Sequence, residues 1–189
     1  MSIPTPVERK LAHTRTVSFQ GFERSDGLWD IEAEMMDTKP FAFDLSDRHR
    51  LEAGQPVHHM HIRITIDHRL IVQDIHTSMQ AYPHSVCIKA DQHMRKMIGC
   101  TMMKGWRKSI ETHLGGIEGC THMRELLFNM ATAAFQTLAP KALASYRTPS
   151  ENPNRPPPPH LGGCMTWDFK GPTVKAIYPV YFDWPNRTK

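Results

Sequence analysis

Pro56-Val57-His58-His59-Met60-His61-Ile62-Arg63-Ile64-Thr65-Ile66-Asp67 alternates clearly between apolar and polar side chains. Met60, Ile62, Ile64 and Ile66 fall on one face and His59, His61, Arg63 and Thr65 on the other, the period-two pattern of a half-buried strand. A short turn at Asp67-His68-Arg69 leads to a partner strand over residues 70–77, which makes a hairpin. Upstream, strand-like runs over 14–22 and 28–36 flank Asp26-Gly27, a second hairpin signal. Residues 37–56 carry Asp37, Lys39, Pro40, Asp44, Asp47, Gly54 and Pro56 and read as a long loop.

After Tyr82-Pro83 the period lengthens. Residues 90–98 and 103–113 fit helices separated by Gly99-Cys100. The strongest helix covers 121–138, where Leu126, Leu127, Met130, Ala131, Ala134, Phe135 and Leu138 make a wide apolar stripe, and Pro140 follows its end. The predicted class is therefore α+β: an antiparallel sheet of two hairpins with helices packed on one face. Residues 1–147 are expected to form one domain. The proline-rich stretch 148–160 reads as an extended linker. Residues 161–189 read as a tail packing back on that domain, with strand-like character at 174–177 and 179–182.

A chain of 189 residues with 40% hydrophobic and 22% charged side chains can bury a core without staples. Its net charge of +4 is spread along the chain without a dense basic run, which argues against nucleic acid as a partner. No apolar run approaches the roughly 20 residues of a membrane helix, and no export signal is visible at Met1. Four irregularly spaced cysteines then imply a cytoplasmic protein with reduced thiols.

Four places put metal-capable or nucleophilic groups at element boundaries. At the start of the alternating strand, parity puts His58 with Met60 and Ile62, whereas His59 and His61 face away. The alternative is a strand-end histidine half in solvent. Cys87 lies in the loop between sheet and helices, where a thiol can be activated or ligate, or can simply pack. Cys100, behind Gly99, reads as packing.

The third place is Gly115-Gly116-Ile117-Glu118-Gly119-Cys120-Thr121-His122-Met123-Arg124, a glycine-rich turn opening the long helix. A helix N-terminus stabilises a thiolate. Cys120 with His122 is then either a nucleophile with its base or half of a metal site, and His122 could also be a core histidine. The fourth, His160 with Cys164 across a glycine turn, is a weaker pair. Taken together, thiols and imidazoles from a strand start, a loop and a helix N-terminus suggest a tetrahedral nitrogen and sulfur site for zinc or iron.

Arg15, Gly21-Phe22, Asp26-Gly27-Leu28-Trp29-Asp30-Ile31-Glu32-Ala33, Asp37-Thr38-Lys39-Pro40, Pro56-Val57-His58-His59-Met60, Gly119-Cys120-Thr121-His122 and Gly163-Cys164 resemble bacterial domain-of-unknown-function family 2889 along nearly the whole chain. That likeness implies no activity. Residues 56–138 are also distantly similar to iron–sulfur scaffold proteins of the IscU/NifU type. Ile64-Thr65-Ile66-Asp67 with Leu70-Ile71-Val72-Gln73-Asp74-Ile75 resembles their strand–turn–strand, and Lys96-Met97-Ile98-Gly99 their helix-ending segment. By that likeness His58 stands at the first ligand position, Cys87 in the second cysteine's loop, and Cys120 with His122 at the opening of the long helix. The histidine-rich first position and the altered Cys/His order depart from the pattern.

The expectation is a metal-dependent hydrolase or lyase acting on a small organic substrate, aromatic or carboxylate-bearing. His58, Cys87, Cys120 and His122 are the expected ligands of one mononuclear zinc or iron, an iron–sulfur cluster being less favoured. Cys120, His122 and Arg124 are the expected catalytic groups, with Arg63 or Arg124 holding a carboxylate. Trp29, Tyr178, Tyr181 and Trp184 are candidates to wall an aromatic pocket. The alternatives are an iron–sulfur or sulfur-transfer carrier and a structural zinc domain. The expected partner is a small molecule, with neither nucleic acid nor membrane, and homo-oligomerisation is left open.

Overall fold

In the computed structural model, which describes residues 3–4, 7–45, 50–146 and 155–184, four strands form one antiparallel sheet in the order β1-β2-β3-β4. They are β1 (Thr14–Glu23), β2 (Trp29–Thr38), β3 (Pro56–Ile66) and β4 (Val72–Ala81). Both expected hairpins are present, each a residue or more longer than its apolar run. Gly27, at φ 84°, supplies the left-handed step of the first turn.

The second turn takes a different route. Leu70 adopts φ 62° although it is neither glycine nor asparagine. Asp67 holds this loop: its Oδ1 accepts the N–H groups of Arg69 at 2.8 Å and Ile71 at 2.9 Å. Burial works to raise the Asp67 pKa, and the two N–H donors overturn it, so the carboxyl titrates below its ordinary range. A depressed carboxylate contributes stability above its unfolded pKa, near 3.9, and loses that contribution as pH falls through the folded value. Asp67→Ala is expected to cost about 1–2 kcal/mol at pH 7. In urea titrations its deficit against the wild type should shrink as pH is lowered from 4 towards 2. A deficit that persists undiminished in acid would refute the turn-holding role.

The inner face of the sheet carries Ile31, Ala33 and Met35 of β2, Met60, Ile62, Ile64 and Ile66 of β3, and Val72 and Ile75 of β4, all buried. These are the residues of one parity on each strand, as the alternation requires. Against them pack the short α1 (Asp91–Met94), α2 (Trp106–Leu114) and α3 (Thr121–Ala142) through Met94, Trp106, Ile110, Leu114, Met123, Leu126, Leu127, Met130, Ala134 and Leu138. The buried indole of Trp106 donates to the Leu127 carbonyl at 2.7 Å and so ties α2 to α3. Gly21 of β1 is required by close approach, because a Cβ there would lie 1.9 Å from Thr137 Oγ1 on α3. The long helix runs two residues beyond Pro140, whose missing N–H costs only one bond in the last turn.

The opposite face is polar and wet. His59 meets Glu34 at 2.7 Å, and Arg63 meets Glu32 at 2.6 Å with His61 nearby at 3.5 Å. These are cross-strand polar pairs of β2 and β3.

Two compact units divide the chain, Met1–Leu138 and Ala139–Lys189. The second has its own apolar cluster of Leu161, Phe169, Val174, Tyr178 and Tyr181. Its strand-like reading is corrected: residues 172–177 form α4 (Pro172–Ile177), and Pro179–Tyr181 is a 3-10 turn. Pro172 opens α4 with its φ already set, and the Lys175 N–H bonds to the Gly171 carbonyl at 3.2 Å, so the first turn closes locally. Of the proline-rich stretch 148–160, residues 148–154 lie outside the described residues. Arg155 stacks over the Tyr146 ring at 3.8 Å, and Pro158 is buried.

Candidate metal centre

One row of the sheet builds the site. Register sets Arg15 of β1 beside Asp37 of β2, and Asp37 beside His58 of β3. The buried sequence Ile31, Ala33, Met35 on β2 thus ends in a carboxylate that is only 3% exposed. The pairing slips by one residue immediately after Asp37, a bulge of the kind that re-aims side chains at sheet ends. Helix α3 brings its first turn over this row. The His122 ring lies 4.1 Å from that of His58, centroid to centroid, tilted by 42°. Cys120, just ahead of α3, holds its Sγ 3.8 Å from His122 Nδ1. Gly119 permits that approach, since a Cβ there would lie 2.5 Å from the Leu114 carbonyl oxygen.

Asp37 is fully engaged. Its Oδ1 accepts from His13 Nε2 at 2.9 Å and Arg15 Nε at 2.8 Å. Its Oδ2 accepts from Arg15 Nη2 at 2.9 Å and His58 Nδ1 at 2.9 Å. Arg15 reaches Glu125 of α3 with its remaining nitrogen at 2.8 Å. Burial works to raise the Asp37 pKa, but the Arg15 and His13 bonds, the Arg15 charge and the His58 bond prevail and hold it far below the ordinary carboxylate range. The same contact with Asp37 raises Arg15 above its usual value.

Both imidazoles titrate below the ordinary histidine range. Burial lowers the His58 pKa first, then the neighbouring His122 and the Arg15 charge, against the pull of Asp37. For His122 burial leads again, then the Arg15 charge, against Asp37 and Glu125. An ionised carboxylate cannot donate, so His58 Nδ1 carries the proton towards Asp37, and Nε2 keeps its lone pair.

These groups fit a divalent ion in a specific way. One ligand atom from each of Asp37, His58 and His122 lies within 4.8 Å of the others, the only such group among the described residues. Four donors already occupy Asp37, so it serves as the orienting carboxylate behind His58, the usual outer partner of a metal-bound histidine. That leaves His58 Nε2 and His122 as nitrogen donors. Adjacent nitrogen and sulfur ligands of a tetrahedral zinc lie about 3.6 Å apart, from bonds of roughly 2.1 and 2.3 Å. The 3.8 Å between Cys120 and His122 matches that spacing.

His58, Cys120 and His122 are therefore drawn to one end of the sheet. Neither cysteine belongs to the group of Asp37, His58 and His122: Cys120 reaches it through His122 alone, and Cys87 lines an adjoining cavity that Cys120 shares. His59 lies on the opposite face with Glu34, as its parity requires. Arg63 is likewise on the outer face. Arg124 gives Nη1 to Glu111 of α2 at 3.1 Å, and its Nε is buried without a hydrogen-bond partner. His160 packs its ring against Trp167 and Tyr178, and Cys164 is exposed. Tyr178 and Tyr181 are core residues of the second unit, and Trp29 packs on the main core, so these aromatics serve as core rather than as pocket walls.

Sequence reading alone missed Asp37, Arg15 and His13. The signal was present in β2, where extending the parity of Ile31, Ala33 and Met35 by one step reaches Asp37.

Fold and site together define an α+β protein with a buried carboxylate–imidazole cluster at the sheet end and a thiol at the mouth of the covering helix. The chain belongs to the DUF2889 family, described as a protein family of unknown function, whose model matches residues 13–136. That span holds every member of the cluster and excludes the tail with Gly163-Cys164. No curated protein and no solved structure matches the chain. Among the described residues no helix is long and apolar enough to cross a membrane.

Proposed function

We propose that this chain is a metal-dependent enzyme of the cytoplasm that acts on a small organic substrate by hydrolysis or carbon–carbon bond cleavage. The observation that carries the reading is the buried Asp37 fixing His58 through Nδ1, with a second imidazole beside it and a thiol at ligand spacing from that one. His58, His122 and Cys120 would hold one zinc or iron and leave a fourth position open, the pattern of a catalytic rather than a structural site. Such an ion supplies a Lewis acid for a carbonyl or for a water nucleophile. The chain's own groups supply the rest. Asp37, clamped by Arg15, orients His58 and balances charge. Arg124, two residues beyond His122, keeps a buried Nε–H that no hydrogen bond satisfies among the described residues. Four free cysteines accord with a reducing compartment.

A sulfur-carrier reading draws on one specific observation: Cys120 and Cys87 line a common cavity, where either thiol could accept sulfur. Elemental analysis of protein purified without added metal separates the two. About one zinc or iron per chain, lost in Cys120→Ala, is expected. A metal-free protein whose Cys120 alkylates readily would replace the metal reading with the carrier.

A further inference from the structure

Next to Cys120, the 3-10 turns Ser85–Ala90 and Gly116–Glu118 border an open cavity of about 490 Å³. That volume suits a small molecule of drug-like size. Cys120 and Cys87 line it, and Cys120 also contacts the cluster through His122. Two large apolar side chains in its lining are left in water: Ile117 is fully exposed and Val86 is 63% exposed. Exposed aliphatics facing a concavity mark a ligand surface better than scattered ones do.

The charges in the lining are unequal. Glu118 is occupied by Lys96 at 3.1 Å and by His93 at 3.5 Å. Lys89 has no acidic partner among the described residues. Among the described residues the cavity thus offers one cation without an acidic partner, an apolar mouth, and a thiol end adjoining the imidazole pair.

We propose that this cavity binds a small molecule with a carboxylate and an apolar body: the carboxylate meets Lys89, the body lies along Val86 and Ile117, and the far end reaches Cys120. It rests on the proposed function only in making this ligand the substrate, because the far end is delivered to the metal ligands. The recognition itself needs no metal.

The probe is 4-phenylbutyrate, set against uncharged 4-phenylbutanol, with binding read from amide shifts in isotope-labelled full-length protein. The acid should move the signals of Lys89, Ile117, Gly119 and Cys120 saturably and bind about fivefold more tightly than the alcohol, the worth of one exposed ion pair. Lys89→Met should abolish that preference, and Lys89→Arg should restore it. His58→Gln, which removes a metal ligand, should leave probe binding intact. That result would keep the cavity assignment even if elemental analysis found no metal. Equal binding of acid and alcohol, no saturable shift at millimolar probe, or shifts centred away from these residues would overturn it. So would loss of binding in His58→Gln but not in Lys89→Met, since the metal would then be the anchor.

Discussion

Asp37→Ala is expected to cost the fold about 3 kcal/mol, at the lower end of what breaking a buried ion pair removes. The reason lies in what stays behind. Asp37 takes four donors while only 3% exposed, and its loss leaves Arg15, His13 and His58 without their common acceptor. Side chains of Arg15 and His13 are 34% and 44% exposed and can return to water, which trims the penalty. His58, at 14%, cannot. Urea unfolding of metal-stripped protein measures the loss without the contribution of a bound ion. Because the Asp37 pKa is depressed, its contribution is fully present above the unfolded value near 3.9 and is lost as pH falls through the folded one. The deficit of the variant should therefore be present at pH 7 and shrink as pH is lowered from 4 towards 2. A loss under about 1 kcal/mol would mean that the cluster does not hold the sheet end together.

The second large effect is on metal content. Each of His58→Gln and His122→Gln should reduce bound zinc or iron from about one per chain to a trace, because two remaining donors do not make a closed set. Asp37→Asn should act more gently. It keeps the shape but weakens the partner that fixes the His58 ring, a change worth about 10–100-fold in metal affinity. Cys87→Ser should retain the metal, since it is Cys120 that holds its thiol at ligand spacing from His122. Unchanged metal in both histidine variants would place any ion elsewhere. Loss of metal in Cys87→Ser would restore the four-ligand set expected from sequence.

How far the sequence foretold this site can be followed residue by residue. The period-two run on β3 was sufficient to place His58 on the buried face and His59 on the wet one, because parity survives small errors in strand ends. The helix opened by Cys120 and His122 was equally plain from its apolar stripe. Asp37 and Arg15 were harder. Asp37-Thr38-Lys39-Pro40 looks like the start of a loop, and only the register that sets Arg15, Asp37 and His58 in one row reveals a buried carboxylate. Cys87 was hard to place for the converse reason. Its nearness to the site follows from chain order, but the direction of a thiol on a 3-10 turn is set by packing that no spacing encodes. In the tail, Val174 and Ile177 suggested strand, whereas Pro172 after Gly171 starts a helix too short to show its period.

X-ray absorption at the metal edge of the protein as purified tests the central claim most directly. Imidazole nitrogens at about 2.0–2.1 Å, two in number, with one sulfur at about 2.3 Å are predicted from His58, His122 and Cys120, the whole edge signal falling to a trace in Cys120→Ser. A first shell of oxygens alone, or one that still contains sulfur and two imidazoles after His58→Gln, would contradict it.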